Sequence, residues 1–247
     1  MRKVLFSAML IAAFTSCKKN SANTPSPASN ASVQANWSSS ADYGQWTSGA
    51  YTVYNDVWGS GAGAQNIWAN SGSNWGVWSN QPNTSGVKSY PDAAIDINKT
   101  LSSLTTLTSS FNATTPSGGS WESTYDIWDQ SKANETMLWF NYTGSVGPIS
   151  YTYGSSGAAT PVFTNVTVGG HTWNVYRGNN GNNNVYTFVR TVKTNSATVD
   201  VLAIQKWIES QGWFGNITQG DVDYGFEITS SSGGLNYTTN SYSVTYN

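Results

Sequence analysis

From Trp37 to the C-terminus the chain is cut into short aromatic and β-branched runs, each closed by Gly, Ser or Asn, and that spacing restricts it to a sandwich or barrel of strands. Such runs lie at Tyr51–Trp58, Asn66–Ala69, Trp75–Trp78, Val87–Pro91, Thr136–Tyr142, Thr172–Arg177, Val185–Thr191 and Val222–Ile228. The stretch Gly178 to Asn184 predicts a turn between two of them, because Asn and Gly tolerate positive φ. One segment has a different period. Across Val199 to Gln211, residues Val201, Ile204 and Ile208 recur at helical spacing, with Leu202 and Trp207 widening the stripe. Asp200 suits the positive start of this helix and Gly212 its end. The pattern predicts a single helix on an outer face of the sheets. At 247 residues the chain has the size of one all-β domain, since such domains commonly reach about 200–250 residues.

The N-terminus reads as a targeting segment. Arg2 and Lys3 precede a short apolar stretch, Val4 to Phe14, which is well under the ~20 residues of a membrane span. Cys17 follows, then Lys18 and Lys19. This is similar to a bacterial lipoprotein signal, with Cys17 as the lipidated residue. We therefore expect a signal at residues 1–17, a Ser/Asn/Pro linker at 18–36, a catalytic domain at 37–247 and an exported product, either a bacterial cell-surface lipoprotein or, if an ordinary signal peptide is cut nearby, a secreted protein. Membrane contact is expected only through that lipid. Cys17 is the sole cysteine, so neither an intrachain disulfide nor a thiol nucleophile in the folded domain is available.

Four of the 11 basic residues lie in the first 19 positions, leaving 7 against 13 acidic residues, a net of −6. No basic footprint for nucleic acid exists. With 12 Trp and 14 Tyr, the chain fits a neutral partner better, because sugar rings stack their C–H faces on flat aromatic surfaces. Trp75, Trp78 and Trp173 suit either that role or the core.

The acids are few enough to weigh singly. The only glutamates are Glu122, Glu135, Glu209 and Glu227, and Glu209 reads as a solvated helix residue. Strand alternation puts Glu135, Met137 and Trp139 on one face, with Thr136, Leu138 and Phe140 on the other. It likewise sets Glu227 opposite a buried face of Tyr224, Phe226 and Ile228, with Gly225 leaving space beside it for a polymer. Cleavage of a glycosidic bond requires two carboxyl groups flanking that bond. One protonates the leaving oxygen; the other attacks the anomeric carbon or activates water. Asp126 is a third acid, placed to perturb a neighbouring carboxyl or simply to end a strand. His171, the only histidine, lacks any nucleophile-elbow serine and reads as a strand or turn residue. One His and one Cys exclude the usual zinc sets.

Six motifs, in order, carry a family resemblance. They are Asn55–Gly59, Val87–Pro91, Tyr125–Trp128, Glu135–Trp139, Gly147–Ile149 and Gly225–Ile228. From about Tyr51 to Asn247 the chain resembles glycoside hydrolase family 12, endoglucanases and xyloglucan-cleaving enzymes. The resemblance implies a β-jelly roll of two antiparallel sheets with one helix, an open cleft on the concave face and a retaining mechanism. It implies Glu135 as nucleophile, Glu227 as acid/base and Asp126 as the acid that supports the nucleophile. Trp58 matches a sugar platform with Asn55 close by, and Met137, Trp139 and Pro148 match cleft-lining positions. No metal or organic cofactor is implied, the partner is a β-glucan, and an open cleft acting on polymer needs no second subunit, so a monomer is expected. The alternative is a non-catalytic glucan-binding surface lipoprotein, which would use the same aromatics and release no reducing ends.

Overall fold

Period-two alternation of apolar and polar residues yields fifteen strands in residues 35–247, which the computed structural model describes. Residues 1–34, with Cys17 and all but the last two linker positions, lie outside the described residues. The strands are β1 (Trp37–Ser39), β2 (Gln45–Ser48), β3 (Tyr51–Tyr54), β4 (Ala64–Ser71) and β5 (Asn74–Asn80). Next come β6 (Asp92–Thr100), β7 (Leu107–Thr114), β8 (Ser120–Asp129), β9 (Asn134–Thr143) and β10 (Phe163–Val168). The last are β11 (His171–Asn179), β12 (Asn184–Arg190), β13 (Ser196–Asp200), β14 (Thr218–Ser230) and β15 (Leu235–Tyr246). One helix, α1, spans Val201–Ser210.

Two sheets result. One has six strands in the order β1-β4-β5-β15-β7-β13, the other nine in the order β10-β11-β12-β9-β8-β14-β6-β3-β2. Their facing aromatics interlock: Trp75 meets Phe226 edge-on at 5.6 Å, and Phe111 meets Phe140 at 4.9 Å and Tyr224 at 4.5 Å. This is the expected β-jelly roll, with one departure. Strands β9 and β12 pair in parallel. A parallel neighbour needs a long crossover, and residues 144–183, including β10 and β11, supply it.

The structure corrects three local expectations. Val87–Pro91 forms only isolated bridges, Ser89 to Val57 and to Ile228. Its ladder stops because the Lys88 carbonyl accepts from both Trp58 and Gly59, and Pro91 has no N–H. The run from Tyr51 ends as a strand at Tyr54, before Asp56, whose φ of 35° breaks extended geometry. The helix packs on the inner face of the nine-stranded sheet rather than outside it. There Thr136 Oγ1 donates to Gln205 Oε1, and Trp207 meets Phe188 at 5.5 Å. Its ends follow the sequence: Asp200 caps the first turn by accepting from the Ala203 N–H at 2.9 Å, and Gly212 turns out with φ 69°.

Candidate active site

Strands β9, β8 and β14 lie side by side, and their registers decide which side chains meet. Glu135 sits across from Trp128, Met137 across from Asp126. On the other side of β8, Asp223 faces Asp126 and Glu227 faces Glu122. Alternation therefore gathers Glu135, Asp126, Asp223, Glu122 and Glu227 on one face of the nine-stranded sheet, while Leu138, Tyr125, Tyr224 and Phe226 are fully buried on the other. The acidic face forms the floor of a cleft. A cavity of about 740 Å³ holds Trp58, Asp126, Glu135 and Glu227, and one of about 460 Å³ continues past Trp139 and Glu122. The two share Val87, Met137, Ile149 and Glu227.

The two central glutamates differ in their surroundings. Glu135 is 8% exposed, and its Oε2 accepts a 2.8 Å hydrogen bond from Asn183 Nδ2. Burial pushes its carboxyl above the usual range, while the Asn183 hydrogen bond and the Lys132 charge pull it back. Glu227 keeps part of its surface open to the cleft and has no such partner. Burial, then the charge of Glu135, push it up to about 8. Of two interacting acids, the one with hydrogen-bonded and cationic support ionises first. Of the two, Glu227 therefore holds its proton the more firmly. The Asp126 carboxyl is pushed well above its usual range, first by burial and then by Glu135 and Glu227, and its Oδ1 has no hydrogen-bond partner.

The remaining expected residues separate into three groups. Trp58 is 51% exposed and lines the larger cavity, as a platform would. Met137 and Trp139 are buried in the cleft wall. Pro148 is half-buried between Gly147 and Ile149, which line the cleft. Asn55 is not at the surface at all: it is fully buried, donating to the Ala41 carbonyl and accepting from Gln65. Its side chain pins the loop that precedes β2. Gly225 does not leave room for polymer either. A Cβ there would sit 2.2 Å from the Pro91 carbonyl oxygen and 2.8 Å from Asp92 Cβ, so its bareness serves close backbone approach to β6. Trp75 and Trp173 are fully buried core residues, and Trp78 is half-buried on the six-stranded sheet. His171 opens β11 with Nε2 2.9 Å from the Thr198 carbonyl.

Four cleft residues escaped the sequence reading. Asn183 looked like part of a turn. Glu122, Asp92 and Asp223 gave no individual signal, although Asp223 shares the alternation of Glu227 on one strand. Among the described residues no cluster of three or more His, Cys, Asp or Glu is arranged to hold a metal ion.

Comparison with known proteins places this geometry. Residues 31–247 match the model of glycosyl hydrolase family 12. The chain is 37% identical over 233 residues to xyloglucan-specific endo-beta-1,4-glucanase A of Emericella nidulans, covering 83% of this chain and 90% of that one. Among solved structures, the xyloglucanase domain of NopAA, a type three effector from Sinorhizobium fredii, solved with cellobiose, superposes with a TM-score of 0.85. It is 51% identical, covering 87% of this chain and all of that one. A native family 12 xyloglucanase from Bacillus licheniformis gives a TM-score of 0.73 at 26% identity, over 85% of this chain and all of that one.

Proposed function

Because this chain belongs to glycosyl hydrolase family 12, and so is a glycoside hydrolase that cuts within β-1,4-glucan chains, we propose that it works by double displacement with Glu135 as nucleophile and Glu227 as acid/base. The observation that carries the assignment is the split between the two carboxyls. Glu135 has the Asn183 hydrogen bond that supports an anion, and Glu227 has none and holds its proton to about 8.

In the first step the Glu135 carboxylate attacks the anomeric carbon while Glu227 gives its proton to the glycosidic oxygen. The leaving chain departs with a new 4-hydroxyl, and a glycosyl ester remains on Glu135. In the second step the Glu227 carboxylate takes a proton from water, the water oxygen attacks the same carbon, and Glu135 leaves as a carboxylate. Two inversions retain the configuration. Asp126, its carboxyl pushed up by burial and then by Glu135, is the acid that supports the nucleophile. Trp58 offers a flat face to a sugar ring and Met137 and Trp139 wall the cleft.

Xyloglucan is the substrate we propose, supported by the names of the relatives. The test is release of reducing ends from xyloglucan and carboxymethylcellulose by the wild type beside Glu135→Gln. The variant should lose roughly 10⁴-fold or more in turnover while keeping its unfolding temperature, the scale seen when a nucleophile or its base is removed. Unchanged turnover would end the assignment, and a wild type that binds glucan but releases no ends would make it a binding protein.

A further inference from the structure

We propose that Asp92 and Asp223 are substrate-specificity residues that grip the hydroxyl edge of a glucose unit lying over Trp58 and Tyr54. The inference rests on the endoglucanase reading above and names contacts within that cleft. Asp92 lies directly across from Tyr54 on one side and Gly225 on the other, and Asp223 is across from Ala94 and Asp126. Both aspartates line the cavity that holds Trp58 and Glu135. Asp92 is 5% exposed, yet Oδ1 of each carboxyl has no hydrogen-bond partner.

A buried polar atom without a partner costs stability, and folded proteins rarely leave one. Two such oxygens on adjacent strands, both in side chains that line a substrate cleft, call for a ligand that draws the carboxyls round and supplies the missing hydrogen bonds. Burial first, and then their like-charged neighbours, push both acids well above the ordinary carboxylate range. A neutral carboxyl both donates and accepts, whereas a carboxylate only accepts. A sugar hydroxyl also does both, so each acid can close a two-way hydrogen bond with a ring hydroxyl or a pair of neighbouring ones. The apolar face of that ring then rests on an aromatic, with its edge on the acids. Only the absence of a Cβ at Gly225 lets the Asp92 backbone approach closely enough to hold this position.

The test uses the Glu135→Gln protein, which should bind without cutting, and titrates it with cellotetraose by calorimetry. In that background Asp92→Leu and Asp223→Leu should each weaken binding about tenfold, the loss of one good hydrogen bond. Asp92→Asn and Asp223→Asn, which keep a donor and an acceptor, should stay within about threefold of the parent. The unliganded Leu variants should meanwhile melt roughly 3 °C or more higher, since an unpaired buried group has gone. A structural role would move the two readings together, stability and affinity falling in step. If Leu does not fit the site, Asp92→Ala and Asp223→Ala carry the same expectation without added volume. Leu or Ala variants that bind cellotetraose as tightly as the parent would overturn the inference. So would binding that disappears on removal of divalent cations with EDTA, which would make the acids a metal site. Residual turnover in Glu135→Gln would instead refute the nucleophile assignment and leave the contact measurement standing.

Discussion

The two faces of the nine-stranded sheet are made by the same strands and obey opposite rules. On the inner face, the hydroxyls of Tyr224 and Tyr125, and that of Tyr242 from the facing sheet, all find partners. The Tyr224 hydroxyl meets Ser123 Oγ at 2.7 Å, Tyr125 meets Ser109 Oγ at 2.9 Å, and Tyr242 donates to the Val222 carbonyl at 2.8 Å. On the cleft face, Asp92, Glu122, Asp126 and Asp223 each bury a carboxyl oxygen with no partner. Burying one large apolar side chain stabilises by about 1.5–3 kcal/mol, and leaving one buried polar group unpaired costs about 1–3 kcal/mol. The two effects are of equal size per residue, so the aromatic inner face offsets the strain of the outer one. Stability is concentrated on one side of β8, β9 and β14, and chemistry occupies the other.

Glu227→Gln removes the proton donor and should cut polymer hydrolysis by about 10²–10⁴-fold. The wild-type rate should fall at high pH as Glu227, held at about 8, loses its proton, and in the variant that basic limb should vanish. A limb that persists would move the donor role to another residue. Next, Phe226→Ala on the inner face should cost about 3–5 kcal/mol of stability in chemical denaturation, because Phe226 packs against Trp75, Tyr224 and Tyr237 with no exposure. A loss under about 1 kcal/mol would show that the inner face does not carry the fold. The smallest effect concerns pH and stability. The carboxyls of Asp92, Glu122, Asp126 and Asp223 sit well above their unfolded values, all chiefly through burial. A raised acid contributes stability that is complete below its unfolded value, here near 4, and lost as pH rises through the folded one. The unfolding temperature should therefore fall between pH 5 and pH 8, and fall less in Asp92→Asn. A temperature that rises over that range would contradict the burial of neutral acids.

Much of this was legible along the chain because it depended on local period. The alternation through Glu135 and Glu227, the buried set at Tyr224, Phe226 and Ile228, the cap at Asp200 and the hairpin before Asn184 all follow from residues within a few positions of one another. What was not legible depends on register between distant segments. Asp92, Asp126 and Asp223 become neighbours only when β6, β14 and β8 pair, and no spacing along the sequence announces that. Asn183 reads as a turn residue until the parallel pairing of β9 and β12 brings it to Glu135. Asn55 and Gly225 were misread for the same reason: their partners, Gln65 with Ala41 and Pro91 with Asp92, come from other strands and loops.

The central claim is that the glycosyl group passes through Glu135. It is tested most directly with 2,4-dinitrophenyl 2-deoxy-2-fluoro-cellobioside, whose fluorine slows both steps while its leaving group restores the first, so the ester accumulates. Intact-protein mass spectrometry should show the gain of one fluorocellobiosyl group, and peptide mapping should place it on Glu135. A label on Glu227 or on any other residue, or turnover of the compound with no covalent species at all, would contradict the account.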